Sequence, residues 1–207
     1  VAGMTELNNK RYKVANKTTN TFEITDIDGT NIDGTGFTAY TSGGVANRVY
    51  EITTPYLEAE LFDIKFAQSA DVMYITHPNH EVEKLSRTGH TSWTLADVDF
   101  TDGPYLDDNA TATTISTSAH TVGTGRTLTA SAITGINDDT GFQTTDVGRL
   151  IRFRDGYGKV TARTDTLNVT IEILEDMGST SSSTDWSLGS FSDTTGHPSC
   201  VTFFEQR

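Results

Sequence analysis

This chain of 207 residues has one cysteine, Cys200, so no internal disulfide framework is available to it. Beside Pro198, that cysteine reads as a small buried hydrophobe, and no neighbouring base marks it as a nucleophile. Prolines number 4, and no stretch approaches the ~20 apolar residues of a membrane-spanning helix. No signal-peptide pattern opens the chain, although Val1 is not an initiator methionine and a fragment of a longer polypeptide is expected. Basic residues are scarce: 15 Lys and Arg face 28 Asp and Glu, for a net charge of −13. Sequence-specific nucleic-acid binding, which neutralises phosphates with Lys and Arg, is therefore disfavoured. The charge serves solubility, or forms a wall along which DNA slides without sticking.

What is present is short, alternating and turn-rich, with 18 glycines and abundant Thr and Ser. Around Tyr12 and Val14 apolar and charged residues alternate, and Phe22-Glu23-Ile24-Thr25 alternates back. Asp28-Gly29 signals a hairpin, and Gly43-Gly44 ends a predicted strand over Phe37–Thr41. Thr54-Pro55 is a helix start, with about two turns over Tyr56–Phe62; at most one short helix is expected. Val72–Thr76 is an apolar, β-branched strand, His77–His80 a turn, Val82–Arg87 a second strand, and Trp93-Thr94-Leu95 starts a third.

From Asp107 to Ala119 the texture is that of a linker into a polar β module. Strands are predicted at Leu128–Ala130, Val147–Phe153, Lys159–Thr161 and Val169–Ile173, where Val169, Ile171 and Ile173 share one face. Turns are predicted at Asp155-Gly156 and Tyr157-Gly158, and a low-complexity loop at Ser179–Thr184. Trp186-Ser187-Leu188 with Phe191 and Pro198 then echoes Trp93-Thr94-Leu95 with Phe100 and Pro104.

The fold class is therefore all-β, in small β-barrel or sandwich modules; that these are attached to part of a β-propeller-like sheet scaffold is what the second of two family resemblances implies. Residues 1–53 form the first module, residues 54–108 with 184–207 the incomplete scaffold, and residues 109–183 an inserted Thr/Ser-rich module.

No catalytic, cofactor-binding or metal-ligating residue is assigned. Asp26–Gly34 offers several oxygen ligands, but Thr30 and Asn31 occupy the fifth and sixth positions of an EF-hand register, so a pair of Asp-Gly turns is the better reading. His77 and His80 have H-x-x-H spacing, but Pro78-Asn79 makes a turn and no third ligand is evident. His90 and His197 read as structural. Gly123–Arg126 and Gly156–Lys159 do not complete a phosphate loop and read as hairpin turns. Arg149, Arg152 and Arg154 are the densest positive cluster, with Arg152 and Arg154 on one strand face. Trp93 and Trp186 read as core anchors rather than sugar platforms. No spacing argues a catalytic pair or triad, and no enzyme is expected.

Two resemblances accompany this reading. Gly3-Met4-Thr5-Glu6-Leu7, Arg11–Val14, Phe22–Ile24, Asp26–Thr30 and Ser42-Gly43-Gly44 together resemble FCCH-like β-barrel modules, named after a half-domain of ubiquitin-activating enzymes. That likeness concerns shape, and the family's preceding strand is missing, which suggests that the chain begins inside a domain. Gln68, Asp71, His77, Leu85, Arg87 and Trp93, with their spacing, resemble the sheet scaffold of short-tailed bacteriophage nozzle proteins of the tail tubular protein B type. The second resemblance implies a structural part of a virion tail, made in the bacterial cytoplasm. It also implies a hexameric ring, contacts with tail adaptor and fibre or spike proteins, and non-specific passage of DNA. In the same likeness, Val201–Arg207 opens the next propeller sheet. The competing reading from another class is a carbohydrate-binding or adhesin module. Neither implies a cofactor.

Overall fold

The computed structural model describes residues 1–204; Glu205, Gln206 and Arg207, the end of the expected closing strand, lie outside the described residues. The chain is all-β, and among the described residues helical structure is limited to three 3-10 turns. It divides into two compact units, Val1–Glu51 and Ile52–Arg207.

In the first unit β1 (Lys13–Ala15) pairs antiparallel with β2 (Glu23–Thr25), Val14 opposite Ile24. The Asp26–Thr30 turn follows, closed by Asp26 N–H to Thr30 O (2.9 Å) and Thr30 N–H to Asp26 Oδ1 (2.8 Å). Phe37–Thr41 is not a strand; it is an extended segment tied to the N-terminus at Ala2 and Met4, with an isolated bridge between Ala2 and Ser42. Side-chain hydrogen bonds do the closing. Glu6 Oε1 accepts from both Thr38 N–H (3.1 Å) and Thr38 Oγ1 (2.8 Å). Gly3 sits at φ +67°, where a Cβ would fall 2.0 Å from Ala39 O. Only glycine fits that crossing.

The second unit carries two sheets. β3 (Lys65–Ser69), β4 (Val72–His77), β5 (His80–Gly89) and β6 (Ser92–Asp97) form an antiparallel meander joined by two-residue turns. His77–His80 is a turn as expected, with Pro78-Asn79 at its centre and His77 and His80 closing the β4–β5 ladder as partners. The expected helix over Tyr56–Phe62 shrinks to one 3-10 turn, Glu58–Glu60. Two α turns are marginal on propensity alone, and Glu60 bonds back to Leu57 N–H (2.9 Å) instead of facing solvent.

β7 (Ile115–Thr117), β8 (Gly123–Ala130), β9 (Leu150–Phe153), β10 (Gly156–Arg163), β11 (Asn168–Ile173) and β12 (Trp186–Leu188) form the larger sheet in the order β12-β9-β10-β11-β8-β7. Val169, Ile171 and Ile173 do share the buried face, with Leu128, Ile151, Phe153 and Trp186. Each such side chain, removed from water, contributes roughly 1.5–3 kcal/mol.

Several expectations are corrected here. The segment from Asp107 to Ala119 is not a linker: Asn109 Nδ2 donates to Thr111, Thr113 and Thr184 carbonyls, and Ile115 is fully buried. Gly123–Arg126 and Gly156–Lys159 are strand, not turns, and the β9–β10 turn is Arg154-Asp155. Gly156 is required in the strand because a Cβ would meet Asp176 O at 2.4 Å. β12 hydrogen-bonds to β9, so Trp186–Leu188 completes the larger sheet rather than resuming the smaller one. Val201–Phe204 has no strand structure. Among the described residues no helix is long and apolar enough to cross a membrane.

Candidate functional site

Two places in the second unit gather chemistry. The first is a cavity of about 340 Å³ between the two sheets, walled by Glu81, Asp99, Phe100, Lys159, Glu172 and Phe191 among others. Its two phenyl rings are in contact, with centroids 5.4 Å apart. Those are the residues of the Trp-x-Leu echo; the repeat thus brings Phe100 and Phe191 together, while its tryptophans part company. Trp186 is 2% exposed and donates Nε1–H to Thr113 O (3.0 Å). Trp93 is half-buried on β6, donates to His90 O (3.2 Å) and lies under the Arg87 guanidinium. The core-anchor expectation thus suits Trp186 and not Trp93.

The cavity is electrostatically lopsided. Lys159 Nζ lies 2.9 Å from Asp99 Oδ1, and that bond, with the fields of Asp99, Glu81 and Asp97 behind it, raises the lysine above its ordinary range. Glu81 and Glu172 add negative charge to the lining without an ion-pair partner among the described residues. Beside it, burial and the neighbouring Asp97 and Glu81 push the Glu83 carboxyl up, and its Oε2 is buried without a hydrogen-bond partner. Burial, with Glu83 and Asp97, also pushes the Tyr56 phenol up to about 12.

The second place lies at the end of the β4–β5 hairpin. Across an antiparallel pair, directly opposed side chains share a face, so His77 and His80 lie together, ring centroids 5.1 Å apart. Tyr56 packs against both rings, tilted to His77 and edge-on to His80. The 3-10 turn delivers Glu60, whose Oε2 accepts from His80 Nε2 (2.8 Å) and Leu57 N–H, while Oε1 accepts from Asn79 Nδ2 (3.4 Å). The Leu57 amide first and the His80 ring second hold the Glu60 carboxyl down to about 2. One donor atom each from Glu60, His77 and His80 lies within 4.8 Å of the other two. His77 is 2% exposed; its Nδ1 accepts from Asn79 N–H (3.2 Å) and its Nε2 is buried with no partner. An orphaned buried polar atom of this kind costs about 1–3 kcal/mol. The third donor missing from the H-x-x-H reading is thus Glu60, seventeen residues before His77, a spacing no short motif encodes.

The other candidate residues disperse. Asp26 and Asp33 accept turn amides rather than converging. Arg149 is no part of a positive surface: with Asp146 it forms a pair 1% exposed on each side (3.0 Å), and Arg149 also bonds Asn137 Oδ1 and Gly189 O. Arg152 is paired with Asp108 and stacks on Tyr105, and Arg154 occupies the turn at φ +55°, so the two do not share a strand face. His90 contacts Arg87, and His197, which also lines the cavity, bonds Asp193 (3.0 Å). Cys200 is exposed rather than buried.

Compared with known families, residues 1–50 match the model of the ubiquitin-activating enzyme E1 FCCH domain. The match falls on the segment whose motifs resemble that module. No curated protein matches the chain at a significant level. The phage-nozzle resemblance is corrected by this finding: what the comparison supports is an E1 FCCH domain, and nothing points to a tail nozzle protein. The conduit function, and the tail vocabulary attached to it, go with that correction. The hexameric ring, the adaptor and fibre contacts and the virion location rested on the same resemblance and are not carried forward.

Proposed function

We propose that this chain is a non-catalytic binding module whose inter-sheet cavity receives a basic side chain, Lys or Arg, from a partner protein. The observation that carries the reading is the lining itself: Phe100 and Phe191 supply ring surface, while Glu81, Asp99 and Glu172 outnumber Lys159. Aromatic faces and uncompensated carboxylates together attract an organic cation, and the attraction grows as the cation is desolvated. The net charge of −13 favours encounter with a basic partner over distances of about 8 Å in physiological salt. A non-catalytic role accords with the state of Lys159. Its bond to Asp99 keeps it protonated, which withholds the neutral amine that a nucleophile or general base requires.

The test is a backbone-amide NMR titration with N-acetyl-lysine amide, N-acetyl-arginine amide and, as neutral control, N-acetyl-glutamine amide. The two cations are expected to shift Phe100, Glu172 and Phe191 amides, and Glu172→Gln with Phe191→Ala to remove the effect. Equal shifts with the glutamine amide, or none with the cations, overturn the reading.

A further inference from the structure

We propose that Glu60, His77 and His80 form a transition-metal site that takes Zn²⁺, independent of the cavity. Three observations meet there. The donor set is two imidazoles and one carboxylate, a combination that zinc accepts with a fourth position left to water or a partner's side chain. Calcium and magnesium prefer all-oxygen shells, and copper(I) prefers sulfur, so the donors select for a borderline divalent ion. His77 holds a ring nitrogen that is buried and bonded to nothing. Finally, the carboxylate is oriented from behind, by Leu57 N–H and the Asn79 side-chain amide. Supporting bonds of this sort fix ligand direction in metal sites.

The donors are near the required geometry without being closed on it. A tetrahedral zinc shell sets donors roughly 3.3 Å apart; here the His80–Glu60 contact is 2.8 Å and the triad fits within 4.8 Å. Loading inserts the metal between His80 Nε2 and Glu60 Oε2, and the proton His80 donates there leaves to solvent. At His77 coordination has a definite local consequence. If Nδ1 binds, the metal takes the lone pair that Asn79 N–H uses. If Nε2 binds, the orphan is satisfied and the ring proton moves to Nδ1, which can then no longer accept. Either way the 3.2 Å bond from Asn79 N–H to His77 is lost. The two-residue turn therefore reports on the metal.

The experiment uses the full chain, freed of metal by EDTA dialysis and titrated with zinc chloride by calorimetry, alongside the amide NMR spectrum. Expected are one zinc per chain, a displaced Asn79 amide resonance, and affinity at least ~100-fold weaker in His80→Asn and in Glu60→Gln. His120→Asn, at a half-buried histidine whose side chain is paired only with Asp176, leaves affinity unchanged. His77 is not mutated because its burial risks unfolding, and circular dichroism confirms that the two variants stay folded. Absence of zinc binding, an unmoved Asn79 resonance, or affinity retained in both folded variants overturns the proposal. None of these outcomes bears on the cation cavity.

Discussion

Residues 1–51 and the six-stranded sheet are built from similar material and solve folding differently. The first unit has two three-residue strands and buries one residue, Thr25, leaving Val14, Phe22, Ile27, Tyr40 and Val45 exposed, the last at 85%. The larger sheet buries an unbroken set from Ile115 to Leu188, with Ile136, Phe142 and Met177 closing over its strands. In the first unit, order comes from turn and side-chain hydrogen bonds, each worth only about 1 kcal/mol net. In the second it comes from apolar burial, roughly 1.5–3 kcal/mol per residue. The comparison teaches that alternation announces a strand but does not say whether either face will find a cover. It also marks the exposed apolar residues of the first unit as unexplained by its own packing.

The contrast can be broken most forcefully at the buried ion pair of the larger unit. Asp146→Ala leaves the Arg149 guanidinium buried with its carboxylate gone, and also removes acceptors for Asn137, Gln143 N–H and Thr194. A loss of about 3–5 kcal/mol is expected in urea denaturation followed by Trp186 fluorescence. Gly3→Ala attacks the other unit. The left-handed backbone and the 2.0 Å approach to Ala39 O together forecast about 2 kcal/mol or more of destabilisation. Its signature is a shift of amide exchange confined to residues 1–51, with Trp186 fluorescence unmoved; a shift of the larger unit's transition would show that the two are not energetically separate.

The smallest effect sharpens the picture inside the second unit. Glu83 is raised by burial and by Asp97 and Glu81, so the fold favours its protonated form. Stability from that preference is present below the unfolded carboxyl value and lost as pH rises through the folded one. Glu83→Gln should therefore raise the melting temperature modestly at pH 7, and the gain should vanish once the pH falls below the ordinary glutamate range. A gain that persists in acid would assign the effect to packing rather than charge.

Much of the strand inventory was legible, because period-two alternation at Phe22–Thr25 and Val169–Ile173 follows directly from pleating, and the apolar, β-branched run Val72–Thr76 has the length and composition of a strand. The errors have common physical causes. Gly123–Arg126 and Gly156–Lys159 look like turns because glycine is permissive, yet Gly156 is strand because the Asp176 carbonyl crosses it. Arg149 looks like surface charge because nothing local shows that Asp146, Asn137 and Gly189 will enclose it. Two of the three members of the proposed metal site were visible as H-x-x-H, and Glu60 was not, since only the docking of the 3-10 turn on the hairpin brings it near.

Composition and local pattern alone determined the all-β class, the strongly acidic balance and the exclusion of a disulfide framework, because each depends on residue type or on neighbours a few positions apart. Only the tertiary structure decided that Phe100 meets Phe191, that β12 belongs beside β9, and that Glu60 meets His77 and His80. Those are pairings between segments far apart in the chain, selected by which faces bury together, and no short-range periodicity carries that information.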